Sequence, residues 1–207
     1  MTRLFTVLML FAATSAFAQK REPIPPFVID ARVAIPFLKQ DPVTAQDIGI
    51  TTDQLANRGL GVTGGAQFYV LRRGGFALGL GGELLLAGAS FQDSLPDGTP
   101  VGTKINRRFQ STSVQLSLNF GKRNGWSYLT FGMGPVAFDT YLEGTTPDGL
   151  RARTLNYGGG ARWFNYEHVA FSLDLRIYAT VPANATLLVG GRERTNVLIL
   201  SAGVSIK

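Results

Sequence analysis

From residue 26 to its end the chain repeats one pattern: bulky apolar side chains at every second position, with small, polar or charged ones between them. In FSLDLRIYATV (171–181), Phe171, Leu173, Leu175, Ile177, Ala179 and Val181 share one parity, and Ser172, Asp174, Arg176, Tyr178 and Thr180 the other. A period of two belongs to a β-strand, whose successive side chains point to opposite faces. Eight such segments stand out, at about 26–36, 59–71, 75–88, 108–120, 126–139, 153–164, 168–181 and 195–206. Helical periodicity is scarce and clusters of Gly, Pro, Asn and Asp separate the segments, so the chain reads as all-β.

The connections have a rhythm of their own. Long polar stretches (37–58, 90–107, 141–152, 183–194) alternate with short ones: RRGG at 72–75, GKRNG at 121–125 and NYEH at 165–168. An up-and-down barrel in water has no use for that asymmetry. Membrane barrels have it, with short turns on the periplasmic side and longer loops outside. Each segment is also long enough to cross a bilayer as a tilted strand, which takes about 9–11 residues.

The two parities decide which face looks outward. One collects Phe76, Leu78, Leu80, Leu84 and Leu86, then Val114, Leu116, Leu118 and Phe120, then Phe171 to Ile177, then Leu198, Leu200, Val204 and Ile206. The other collects Gly79, Gly81, Ser113, Gln115, Ser117, Asn119, Ser201, Gly203 and Ser205. An eight-stranded barrel has an interior just wide enough to be filled by side chains, so the leucine-rich parity must face out, where only lipid accepts such a belt. The fifth segment is ambiguous: Leu129, Phe131, Met133, Pro135 and Ala137 are placed outward, although Trp126 and Tyr128 on the other parity would suit a lipid interface. Aromatics near the segment ends (Phe27, Phe120, Trp126, Trp163 and Tyr166; Phe109, Phe138, Tyr141 and Tyr178) suit girdles at the two interfaces.

This facing puts Asp30, Arg32, Glu83, Arg162, Asp174 and Arg176 inside the barrel. Three acids meet three bases, and because an unpaired buried charge is costly, a neutral cross-barrel network is expected. The simplest register for the 165–168 turn sets Gly160 opposite Asp174 and Gly158 opposite Arg176, with Arg162 reaching Asp174 diagonally.

The N-terminus reads separately. Arg3 precedes the ten-residue apolar stretch Leu4–Ala13 and an Ala16-Phe17-Ala18 site, the pattern of a secretory signal peptide over 1–18 cleaved before Gln19. That stretch is too short to span a bilayer, which takes about 20 residues. Residues 19–25 follow as a short periplasmic segment, and 26–207 form one barrel domain. Net charge is +6, with no Lys/Arg block that would suggest nucleic-acid binding. With no cysteine, thiol chemistry and disulfides are excluded.

Signal peptide, eight alternating segments and loop rhythm together resemble the small outer-membrane barrels of the OmpA/OmpX-like kind. The resemblance implies an all-β, eight-stranded antiparallel up-and-down transmembrane barrel in a Gram-negative outer membrane. It also implies a charged interior and roles in membrane integrity or surface interaction. Such barrels commonly end on an aromatic assembly signal, whereas this chain ends on Ile206-Lys207.

GLGVTG (59–64) matches G-x-G-x-x-G, but AQFYVL continues it as a strand where a dinucleotide site needs a helix. GGGAR (158–162) and GGRER (190–194) lack the Gly-Lys-Ser/Thr end of a phosphate loop, and NAT (184–186) marks a loop. His168, the only histidine, could join Ser172 and Glu167 in a lipid A deacylase-like set, but it falls at a short turn and Ser172 faces inward. The expectation is a non-enzymatic, largely plugged, monomeric barrel with no cofactor or metal. Its partners are outer-membrane lipid and lipopolysaccharide, with an extracellular ligand through the long loops. A membrane-embedded lipid-modifying enzyme and a soluble exported lipid-binding barrel are the alternatives.

Overall fold

The computed structural model describes residues 23–147, 151–181 and 194–207. The signal peptide expected over 1–18, residues 19–22 of the expected 19–25 segment, residues 148–150 of the 141–152 loop and the 183–194 loop apart from Arg194 lie outside them. The described chain closes into a barrel of eight antiparallel strands in sequence order. These are β1 (Phe27–Phe37), β2 (Leu60–Arg73), β3 (Phe76–Ser94), β4 (Pro100–Lys122), β5 (Gly125–Leu142), β6 (Arg151–Phe164), β7 (Val169–Thr180) and β8 (Asn196–Ile206). Each strand pairs with the next, and β8 returns to β1 from Ile29↔Ile206 to Phe37↔Leu198, leaving no open edge in the wall.

Burial follows the sequence parity. Along β7 exposed Phe171, Leu173 and Leu175 alternate with buried Ser172, Asp174 and Arg176. Leu129, Phe131 and Met133 face out and Trp126 and Tyr128 face in, which resolves β5. The structure corrects the aromatic girdle. Trp163 is 47% exposed, but Trp126, Phe109 and Tyr178 are between 1% and 3% exposed and fill the lumen. Glycines make room for two of the lumen aromatics: a Cβ on Gly160 would lie 2.6 Å from the Tyr128 hydroxyl, and one on Gly121 2.7 Å from Trp126 Cβ.

The lumen therefore has three layers. At the short-turn end Ile24, Val28, Tyr69, Ala77, Trp126 and Tyr128 form an apolar cluster. At the other end Leu38, Leu85, Phe109, Val136, Tyr178, Val197 and Ile199 form a second one, where the sequence parity alone suggested small and polar filling. The charged residues lie between.

Two of the expected long loops are built differently. Residues 90–107 are mostly strand: β3 and β4 continue past the rim as a ribbon to Ser94↔Pro100, closed by a turn in which Leu95 N donates to Thr99 O. Above the rim the outward parity carries Gly88, Ser90, Gln92 and Ser94 in place of leucine, with Phe91, Leu95 and Val101 the apolar exceptions nearby, so the alternation that marks a lipid-facing strand disappears there. Residues 37–58 contain a helix, α1 (Pro42–Asp47), and a 3-10 turn at Thr52–Gln54. Asp41 caps α1 by accepting from the Thr44 amide at 3.1 Å and hydroxyl at 2.7 Å. Burial alone would raise that carboxyl's pKa, but these donors outweigh it and hold it below the ordinary value.

Candidate functional site

The charged layer at the waist is built from four strands. Asp30 and Arg32 share the inner face of β1, two residues apart, while Glu83 comes from β3, Arg162 from β6, and Asp174 and Arg176 from β7. All six side chains are 0–4% exposed.

Each carboxylate is held by arginine and by a hydroxyl. Arg162 grips Asp30 with two parallel bonds, Nε to Oδ1 at 2.9 Å and Nη2 to Oδ2 at 2.6 Å, and the Ser205 hydroxyl donates to Oδ1. Glu83 accepts from Arg32 Nη2 at 2.9 Å, and from Arg176 Nη1 and the Tyr178 hydroxyl, both at 2.7 Å. Asp174 accepts from the Tyr128 hydroxyl at 2.8 Å and from Arg176 Nη2 at 3.2 Å, and its Oδ1 lies 2.9 Å from Arg176 Nε. Arg32 ties the groups together, donating to the Tyr128 oxygen at 2.9 Å and passing within 3.9 Å of Asp30 and 3.8 Å of Asp174.

The expected diagonal between Arg162 and Asp174 is replaced by the Arg162–Asp30 fork. The register itself is the parity-preserving one, with Gly160 opposite Asp174 and Gly158 opposite Arg176. Arg162 instead crosses the lumen, its guanidinium 4.0 Å from the centre of the Tyr128 ring. Stacking on that ring adds a cation–π contact to the fork. Tyr128, Tyr178 and Ser205 were missed as members of the network. Their inward parity was readable, but which acid each would meet depends on strands brought together only by closure.

The carboxylates of the layer are fully engaged, whereas Arg162 Nη1 is buried with no hydrogen-bond partner. All six carboxylate oxygens have a cationic or hydroxyl partner, so none is left as a general base or an open ligand position. Among the described residues no three His, Cys, Asp or Glu side chains gather as a metal site.

A second cluster fastens segment 37–58 over the lumen. Arg107, buried on the inner face of β4, donates from Nη1 to Ala56 O at 2.7 Å and from Nη2 to Lys39 O at 2.9 Å. Leu38 N donates to Asn57 O, Leu38 packs into the upper apolar cluster, and Leu55 is fully buried. The strap is thus anchored at both feet.

No protein-family model matches the chain, and no curated sequence does. Among solved structures, Neisserial surface protein A (NspA) matches with a TM-score of 0.56 at 12% identity, covering 88% of this chain and 97% of that one. The chain has the fold of the small outer-membrane β-barrels. Ail, the attachment invasion locus protein of Yersinia pestis, solved in complex with the heparin analogue sucrose octasulfate, gives 0.49 at 14% identity over 87% of this chain and 95% of that one.

Within this outer-membrane barrel fold the candidate hydrolytic set is dispersed. His168 is exposed in the turn after β6, with Nε2 3.9 Å from a Glu167 oxygen. Ser172 is fully buried in the lumen opposite Arg162 and Gly203. A nucleophile inside the barrel and a base in solvent outside it cannot share a proton.

Proposed function

We propose that the protein is a non-enzymatic outer-membrane barrel with a plugged lumen, and that its outer end carries its interactions with the surroundings. A signal peptide over 1–18 exports it, both chain ends lie on the periplasmic side, and the bulky outer belt sits in acyl chains. Lipid and lipopolysaccharide surround a monomeric wall, whose closed hydrogen bonding leaves no edge for another copy to extend.

The filling of the waist carries the reading: three acids and three arginines whose carboxylate oxygens are all occupied. Apolar clusters lie above and below them. A passage for ions would have to break several of these bonds in a low-dielectric interior, each costing about 1.5–3 kcal/mol. A general pore also needs a wider barrel, with about 16–18 strands. What remains for recognition is the strap over the mouth and the β3–β4 ribbon, tied together where the Gln54 amide donates to Asp93 at 2.7 Å.

Two measurements test this. Purified protein in planar bilayers is expected to show no stable conductance steps, and reproducible steps would refute the plug. Protease added to intact cells is expected to cut the ribbon near Lys104 while the wall survives. Protection in intact cells, with cutting only after lysis, would invert the proposed orientation.

A further inference from the structure

The short-turn end is unusually basic. Arg72, Arg73, Lys122, Arg123 and Lys207 lie there with Glu167 as the one acidic side chain among the described residues of that end. At the opposite end acids and bases intermix, as in the Arg108–Asp139 pair at 2.9 Å.

The five cations do not have equal roles. Arg72 reaches back to Ile24 O at 3.4 Å, Arg123 pairs with Glu167 at 3.1 Å, and Lys207 donates to Arg123 O at 2.6 Å. Arg73 and Lys122 sit on the lipid-facing parity. Arg73 pairs with Phe76, Phe76 pairs with Phe120 across β3–β4, and Lys122 follows Phe120 two residues on. The two rings meet edge to face at 5.6 Å. Phe120 is exposed and Phe76 half-buried. A cation thus flanks each side of an outward aromatic pair.

We infer that Arg73 and Lys122, with Phe76 and Phe120 between them, form a headgroup site for anionic phospholipid at the short-turn rim of the wall. The inference rests on the membrane-barrel reading above. Lipid is favoured over the cell wall by position. The turn tips that would meet a partner in the periplasm carry Gly74, Gly75 and Asn124, and the charges there, Arg123 and Glu167, pair with each other at 3.1 Å. Each cation lies within about 7 Å, two strand residues, of a lipid-facing phenylalanine. Long basic side chains at that level can lay their stems along the apolar surface and raise the charge to a phosphate.

The test uses the full mature chain in phosphatidylcholine vesicles carrying spin-labelled phosphatidylglycerol or spin-labelled phosphatidylcholine. The protein is expected to immobilise the anionic lipid preferentially, and less so in high salt. Arg73→Gln/Lys122→Gln should weaken that preference by roughly fivefold per cation at low salt. Arg151→Gln/Arg153→Gln removes the same charge from exposed positions near the other rim, and Arg73→Lys/Lys122→Arg keeps the charge; both should retain the preference. Equal immobilisation of the two lipids by the wild type, or equal loss in both glutamine variants, would overturn the site. So would sedimentation with purified peptidoglycan that depends on Arg73 and Lys122 without any lipid preference. Were the glutamine variant at Arg73 and Lys122 not to fold, the wild-type comparison of the two lipids and its salt dependence would still decide. Heat-modifiable gel mobility of the wild type reports separately on the barrel, so its loss would sink that reading rather than this site.

Discussion

Glu83 is the residue whose loss should tell most about the interior. Its two oxygens accept from Arg32, Arg176 and Tyr178, and its side chain is 4% exposed. Glu83→Gln keeps the volume but replaces one acceptor oxygen with a donor, which then faces a guanidinium or the Tyr178 hydroxyl. The waist also goes from three acids against three bases to two against three. Breaking a buried pair by removing one partner costs about 3–5 kcal/mol, because the other charge stays buried without compensation. We therefore expect a loss of that size in urea unfolding of the refolded barrel in lipid vesicles, followed by tryptophan fluorescence. Trp126 reports from the lumen and Trp163 from the outer face. The informative control is Glu83→Gln/Arg176→Met, which restores neutrality at two acids and two bases. Neighbours in one network couple by about 0.5–3 kcal/mol, so the double variant should be more stable than the sum of the single losses predicts. A single loss below about 1 kcal/mol, or strictly additive losses, would refute the claim that charge balance holds the waist together.

Three further outcomes are expected. Leu173→Arg puts a charge on the 41%-exposed outer face and should cost about 2–4 kcal/mol near mid-depth. Ser172→Arg, fully buried next door, should fail instead by crowding the lumen; harmless substitutions at both sites would show the facing to be wrong. Gly160→Ala should cost about 1–3 kcal/mol in the same unfolding assay, since its Cβ would press on Leu173 O and the Tyr128 hydroxyl; an unchanged midpoint would show that the wall yields there. Arg107→Met should leave the wall folded but speed tryptic cleavage at Lys39 and Arg58, because the two carbonyl bonds holding the strap are lost; unchanged cleavage would assign the strap's anchoring to Leu38 and Leu55.

The wall was legible because lipid enforces parity. Between Ile29 and Ile35, or Phe171 and Leu175, every second side chain must be apolar, so facing and strand number both follow from a period of two. Where that enforcement stops, so does the signal. In the ribbon from Ala89 to Lys104 the outward parity turns polar at Ser90, Gln92 and Ser94, and a regular strand reads as a loop. The segment 37–58 hid a capped helix in six residues, PVTAQD, too few for a helical period to show. Inside the barrel parity shows which residues enter the lumen but not whom they meet. Arg162 lies next to Asp174 by register, yet closure of the sheet brings Asp30 of β1 within its fork. Tyr128 and Trp126 looked like interface aromatics for the same reason. Nothing in β5 alone reveals that Gly160 of the neighbouring strand leaves a hollow for the Tyr128 ring. The residues that decide the lumen's chemistry are thus set by the circumference of the barrel, a property that exists only once β8 has found β1. A single-residue change at Gly160 or Arg162 should accordingly perturb contacts on strands far from it in sequence, while a change on the lipid face should stay local.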